Sequence, residues 1–422
     1  MCKIVQCSII YMAAALVLAS CASAGDAQQV PTVASGAWQP VDATTGQIAD
    51  VDGLETLADA FPNSSSVRLR LLNAYIAAEQ FERALIVAEQ LAGEGYAFSA
   101  GAREFLAGLV GEEATPVWLA ANEQNSAPLT ASEVVATIPQ QALLPEDVAV
   151  LGEGSYAVTT VVSRRVWFSN GQGWFPSGPL GSGNLSGIVA DGSGMVVGSG
   201  DLGMIVEGGE SFGGLIAMEN GNDPLNITAP EGVQLSDIAF FSDQVIYASD
   251  PIGGGVYKSE GMGDGIEVLV APGTFRSPQG IAPSEDGERL YISDYRYGLG
   301  MIDTATGAVT RLSADEPMLL DGIDGLWLYD DELIAVQNGL NPMRIVALTL
   351  SPDGNRITAM RVLEQANPEW TEPLGGDIFE DALYYIGNGS WDLFDEGGTL
   401  KEGAELRATH IRRLDLAEKP TD

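Results

Sequence analysis

Hydrophobic and polar positions follow two rhythms along this chain. Between residues 54 and 110 apolar residues recur at i, i+3 and i+4, the spacing of one helix face. The pattern predicts helices over Leu54–Phe61 (stopped by Pro62-Asn63), Ser66–Glu79, Phe81–Ala92 and Ser99–Val110. From about residue 143 the rhythm changes to short alternating runs bounded by Gly and Asp, the signature of strands joined by tight turns.

The strand-rich part repeats. A phrase marked by its first strand residue recurs at Val148 in "PEDVAV", Ile188 in "LSGIVA", Ile238 in "LSDIAF", Ile281 in "PQGIAP", Leu326 in "IDGLWL" and Ile378 in "GGDIFE". Successive markers lie 40, 50, 43, 45 and 52 residues apart. A turn and a second strand follow most copies, as in "VIYASD", "LYISDY" and "LYYIGNG". Six copies at that period predict six four-stranded blades, closed into a ring so that no long sheet edge stays open. The fold class expected is therefore an all-β six-bladed β-propeller preceded by a small α-helical module. The domain reading is 1–20 signal, 21–50 tether, 51–112 helical module, 113–142 connector, 143–415 propeller and 416–422 tail.

Charge and cysteine usage narrow the function classes. The chain carries 58 Asp and Glu against 20 Lys and Arg, a net −38. That field repels nucleic acid and anionic lipid surfaces and excludes a phosphate-tracking role. The 51 glycines lie mostly in the C-terminal two thirds and fit many tight turns. Lys3 and the apolar run Ile9–Leu18 form an export signal, too short to span a bilayer. It leads into Leu18-Ala19-Ser20-Cys21, which resembles a bacterial lipobox with Cys21 as the lipidated residue. Ordinary cleavage after Ala22-Ser23-Ala24 is the competing reading. With Ala22 rather than Asp after the Cys, the lipobox reading places the protein in the bacterial envelope, on the outer membrane facing the periplasm. Plain cleavage would make it soluble periplasmic or secreted. Cys2, Cys7 and Cys21 are the only cysteines, so the mature domains hold no disulfide, thiolate nucleophile or Cys-based zinc site.

The residues now point to families. Leu71, Tyr75, Phe81, Ala84, Ala88 and Leu91 resemble the packing positions of one tetratricopeptide repeat, with Arg68 where the motif has Trp. A single repeat reads as a helical hairpin packed on its neighbour rather than a superhelix. The phrase Pro-x-Gly-[Ile/Leu] followed by Leu-Tyr-[Ile/Val]-x-Asp resembles the regucalcin/gluconolactonase family of six-bladed propellers, over residues 143–415. The likeness extends to bacterial exported lipoproteins that join a tetratricopeptide-like segment to such a propeller. It implies one divalent cation in the central channel, calcium first, with zinc or manganese as alternatives. The matching positions are Glu146, Gln279 (where the family has Asn) and Asp324; Ser236 replaces a further Asn. The resemblance also implies a lactone or ester hydrolase in which Asp324 accepts a proton from water.

A second set, Asp250, Asp294, Asn338 and Asn388, ends the second strands. It reads either as repeated turn caps or as a polar vestibule. Asp294, Tyr295 and Arg296, with Ser236, are the candidate ligand contacts, and Trp327 and Trp391 are aromatic candidates nearby. Gly209-Glu210-Ser211-Phe212-Gly213 matches G-x-S-x-G in letters only: it lies in a blade loop, and His410 is the lone His. Asp50-Val51-Asp52-Gly53 has the start of an EF-hand loop without the rest. Two functions stay open: a divalent-metal-dependent lactone or ester hydrolase, and a non-catalytic envelope lipoprotein binding a small molecule or protein partner.

Overall fold

In a computed structural model the described residues are 36–417 apart from 42–43, 111–116, 207, 210, 220–221, 243–244 and 262–264. The signal and Cys21 lie outside them. Six antiparallel sheets form the propeller, each beginning at one of the six repeated phrases. Their first strands, Pro145–Gly152, Asn184–Ala190, Ile238–Phe241, Pro278–Pro283, Ile323–Tyr329 and Gly376–Phe379, face one another around the axis. The apolar markers interlock between blades: Val148, Ile188, Ile238, Ile281 and Leu326 are all buried.

Ring closure uses residues that read as connector. Strand Glu133–Ile138 is the outer strand of blade six, paired antiparallel with Thr409–Asp415. His410 lies in that seam, its Nδ1 3.1 Å from Thr137 Oγ1, which makes it a structural residue. Behind the seam the fully buried Glu364 carboxylate accepts from Ser132 Oγ (2.9 Å), Asn367 Nδ2 (2.6 Å) and Tyr385 OH (3.0 Å). Arg412 Nε donates to the same Ser132 hydroxyl at 2.8 Å. A buried polar network satisfied this way is costly to break, so the two strands that close the ring are held together by more than one ladder.

Five helices precede the ring: α1 (Val51–Ala60), α2 (Ser65–Ala77), α3 (Phe81–Gly93), α4 (Ala100–Val110) and α5 (Val117–Asn125). The first four match the periodic segments; α5 falls in the stretch read as connector. Asp50 is the N-cap of α1, accepting from Gly53 N at 2.8 Å, which accounts for Asp50–Gly53 without a calcium loop. Arg68 forms a buried ion pair with Glu94 across α2 and α3.

The helices are fastened to the loops that enter and leave blades four and five. Asp321, buried in the loop before blade five, accepts from Ser65 N (2.9 Å), Ser66 N (2.8 Å) and Ser65 Oγ (2.9 Å). A carboxylate thereby satisfies the orphan N–H groups at the start of α2, where the helix dipole favours negative charge. Trp38 adds an apolar clasp, its ring 5.1 Å from Phe61 and 5.0 Å from Phe275. Asp321→Ala leaves those N–H groups buried and unpaired. It is expected to cost about 2–3 kcal/mol and to make the helices protease-sensitive before the blades, measured by denaturant melts with limited proteolysis.

Candidate functional site

Four first strands share one irregularity at their start. The ladder skips between Pro145 and Val148, Leu185 and Ile188, Pro278 and Ile281, and Ile323 and Gly325. Each skip is a β-bulge, which leaves residues out of the ladder and re-aims their side chains. The residues released are Glu146, Ser186, Gln279 and Asp324, all lining the narrow neck of the central channel. The Gly that follows three of them is also dictated locally. A Cβ on Gly280 would lie 2.6 Å from Leu326 N and one on Gly187 2.6 Å from Ser236 O, because adjacent first strands approach that closely.

Where the phrase has Asp instead of Gly, the carboxylate holds the neighbouring blade. Asp147 Oδ2 accepts from Ile188 N (2.9 Å), Asp237 Oδ2 from Ile281 N (3.0 Å) and Asp377 Oδ2 from Val150 N (2.9 Å). Burial dominates their protonation, with Asp237 pushed up to about 8 and Asp377 to about 6. Sequence reading missed these three, because Asp beside a strand start reads as a turn cap.

Above the neck the channel widens into a vestibule of about 350 Å³; the neck itself has about 30 Å³. The vestibule brings together Glu146, Ser236, Gln279, Tyr295, Arg296 and Asp324, six of the seven ligand or metal candidates in the propeller. Glu146 Oε2 accepts from Trp391 Nε1 at 2.8 Å, and Asp324 Oδ2 from Asn338 Nδ2 at 2.9 Å. Asn338 in turn accepts from Tyr295 OH at 2.7 Å, so the aromatic wall and the acid are one network. The second oxygens of Glu146 and Asp324 have no hydrogen-bond partner among the described residues. Burial and the Asp324 charge push Glu146 well above the usual range, and burial lifts Asp324 to about 6. Glu372, which lies outside the repeated phrase and was missed, completes the acidic wall. Burial and Asp324 raise it to about 7.

Asp294 is not a ligand contact. It is fully buried, and its oxygens accept from the backbone N–H of Arg276 (2.6 Å), Ser277, Arg296 (3.0 Å) and Tyr297. Asp250 caps the equivalent turn in blade three, accepting from Ile252 N and Gly253 N. Trp327 lies below, over Gly325 in the neck, and only Trp391 reaches the vestibule. Ser236 stays on the wall.

The donors fit a hard divalent cation in kind. Glu146, Asp324 and Gln279 offer oxygen only, two of them anionic and each with an uncommitted oxygen, and no His or Cys is present. No cluster of three or more His, Cys, Asp or Glu with metal-binding geometry occurs among the described residues, so Gln279 and water would have to complete the shell.

Comparisons with family models and with curated proteins give no match. Solved structures similar to this chain include a PQQ-bound aldose sugar dehydrogenase from Streptomyces coelicolor, with TM-score 0.46 and 13% identity over 68% of this chain and 99% of that one. A putative gluconolactonase scores 0.44 at 13% identity, covering 68% and 92%. A calcium-binding regucalcin from Agrobacterium tumefaciens scores 0.44 at 15% identity, covering 68% and 94%. A dehydrogenase and a gluconolactonase stand at the same distance, so these likenesses do not choose a chemistry.

The raised acids set a pH dependence. A carboxyl whose folded pKa lies above its unfolded value stabilises the fold fully below about 4. For Asp324 that contribution is lost as pH rises through about 6. A bound cation reverses the penalty. If the site takes calcium, added calcium raises the melting temperature at pH 8, by the equivalent of about 2–3 kcal/mol at a hundredfold excess over Kd, and has little effect at pH 5. Thermal shift across pH 5–8 measures it.

Proposed function

We propose that this chain is a divalent-cation-dependent hydrolase of lactones or related esters, with calcium as the first choice of ion. The observation that carries the reading is the pair Glu146 and Asp324, each with one uncommitted oxygen, set beside Gln279 at the floor of a vestibule of ligand size. Glu146, Gln279 and Asp324 would hold the ion, which supplies Lewis-acid polarisation of an ester carbonyl.

The chain's own residues have separate tasks. Asp324 is placed to take a proton from water, and its Asn338 bond fixes which oxygen remains open. In the hydrolysis, the water oxygen bonds to the acyl carbon and the bond from that carbon to the ester oxygen breaks. The proton taken from water then goes to the released alkoxide, giving a hydroxyl and a carboxylic acid, which ionises to the carboxylate by losing the second water proton to solvent. Tyr295 and Arg296 line the vestibule beside Asp324 and orient the ligand.

Asp324→Asn keeps the size and the Asn338 contact but removes the charge and the base. Turnover of a panel of sugar and acyl lactones is expected to fall by about 10²–10⁴-fold, with melting unchanged or raised. Full activity in that variant would refute the assignment.

A second reading has its own observation: the two Asn positions the resemblance implies are Gln279, whose amide sits on a longer arm, and Ser236, which has no amide, and this leaves the ion's shell short. On that reading the protein is a non-catalytic envelope lipoprotein whose vestibule or helical module binds a small molecule or protein partner. Calcium binding without turnover on any lactone would favour it.

Export and lipid anchoring at Cys21 belong to both readings and are supported by the sequence. No helix among the described residues is long and apolar enough to cross a membrane. Cys21→Ser is expected to move the protein from the membrane fraction to the soluble one, assayed by fractionation and immunoblot.

A further inference from the structure

The turn that follows the second strand brings the same position of successive blades to the vestibule. In blade three Asp250 caps the N–H groups of Ile252 and Gly253; in blade four Asp294 caps those of Arg296 and Tyr297. Ile252 and Arg296 therefore occupy equivalent places, two residues past the capping Asp. Leu202 stands two residues past Gly200 at the end of the matching strand of blade two. All three line the vestibule, so one structural position presents Leu, Ile and Arg side by side.

Their surroundings are asymmetric. Ile252 is 61% exposed and Val206, on the loop that carries Leu202, is 62% exposed, the two most exposed large apolar side chains among the described residues. Pro251 extends the same apolar side, whereas Leu374 lies across the vestibule in the core between blades six and one. Among the described residues Arg296 is the one basic side chain lining the vestibule, and it makes no ion pair or side-chain hydrogen bond. It is nevertheless held firmly: its N–H donates to Asp294, and its carbonyl accepts from Ser64 Oγ of the helical module at 2.6 Å. Those bonds fix its main chain, and the exposed, uncommitted guanidinium in a chain of net charge −38 is an attractive partner for an anionic oxygen.

We infer that the vestibule takes an amphiphilic ligand: an alkyl-substituted lactone or ester and the aliphatic hydroxycarboxylate it yields. The alkyl arm lies over Leu202 and Ile252, and the carboxyl oxygens lie between Arg296 and the floor at Glu146 and Asp324. This rests on the hydrolase reading for the ester, and on the vestibule alone for the carboxylate. A polyhydroxylated ligand would find few hydrogen-bonding partners on the Leu202–Ile252 side.

The test uses the full chain with calcium present, titrated calorimetrically with 4-hydroxybutanoate, 4-hydroxyhexanoate, 4-hydroxyoctanoate and gluconate. Affinity is expected to rise about threefold to fourfold per added methylene and to exceed that for gluconate. Leu202→Ser with Ile252→Ser should flatten the chain-length dependence while leaving the calcium-induced melting shift intact. Arg296→Gln should weaken every hydroxyalkanoate by a similar factor. Tighter binding of gluconate, an affinity independent of chain length, or an undiminished dependence in the double variant would overturn the inference. Turnover of the corresponding γ-lactones is followed in parallel. Chain-length-dependent binding without turnover upholds the ligand class and removes the hydrolase reading instead.

Discussion

Negative charge without a counter-charge is the constraint around which this channel is organised. Glu146, Asp147, Asp237, Asp324, Glu372 and Asp377 line its three sections, and among the described residues Arg296 is the one basic side chain lining them. Carboxyl groups removed from water must find hydrogen bonds, keep their protons or acquire a cation. Asp147, Asp237 and Asp377 take the first course, each accepting a backbone N–H from the next blade. They serve the ring itself. Glu146 and Asp324 are only half satisfied, and Glu372 accepts no hydrogen bond through its side chain among the described residues. Burial raises the pKa of all three, reinforced at Glu146 and Glu372 by the charge of Asp324.

The same constraint links ring geometry to chemistry. First strands crowd the axis so closely that Gly280 and Gly187 have no room for a Cβ, and the bulge beside each turns its neighbour into the channel. A propeller therefore supplies one inward-aimed residue per bulged blade, whatever its identity. In this chain those residues are Glu146, Ser186, Gln279 and Asp324. The helical module acts on this site from outside, through Ser64 on the Arg296 carbonyl and Asp321 on α2.

Much of this was legible in the sequence, for a physical reason. The apolar markers Val148 to Ile378 repeat because each must fill the gap between two blades, so the blade count and the start of each first strand follow from spacing. Glu146, Gln279 and Asp324 sit two residues before three of those markers, so spacing puts them at the channel; the resemblance, not the spacing, singled them out as ligands. What escaped depends on partners distant in sequence. Strand Glu133–Ile138 pairs with residues near the C-terminus and has no repeat to announce it. Glu372 enters the vestibule from outside the phrase, and Asp50 resembles a calcium ligand until α1 is seen beginning beside it. Asp250 and Asp294 are turn caps, whereas Asn338, in the corresponding turn of blade five, is joined to Asp324. The letters alone do not separate those roles.

The most direct test of the cation account is a crystal structure of the full mature chain grown at pH 8 with manganese, read by anomalous scattering. The account predicts one strong peak at the vestibule floor, within about 2.5 Å of oxygens from both Glu146 and Asp324. An empty floor, with the two carboxyls sharing a proton in a direct hydrogen bond, would contradict it.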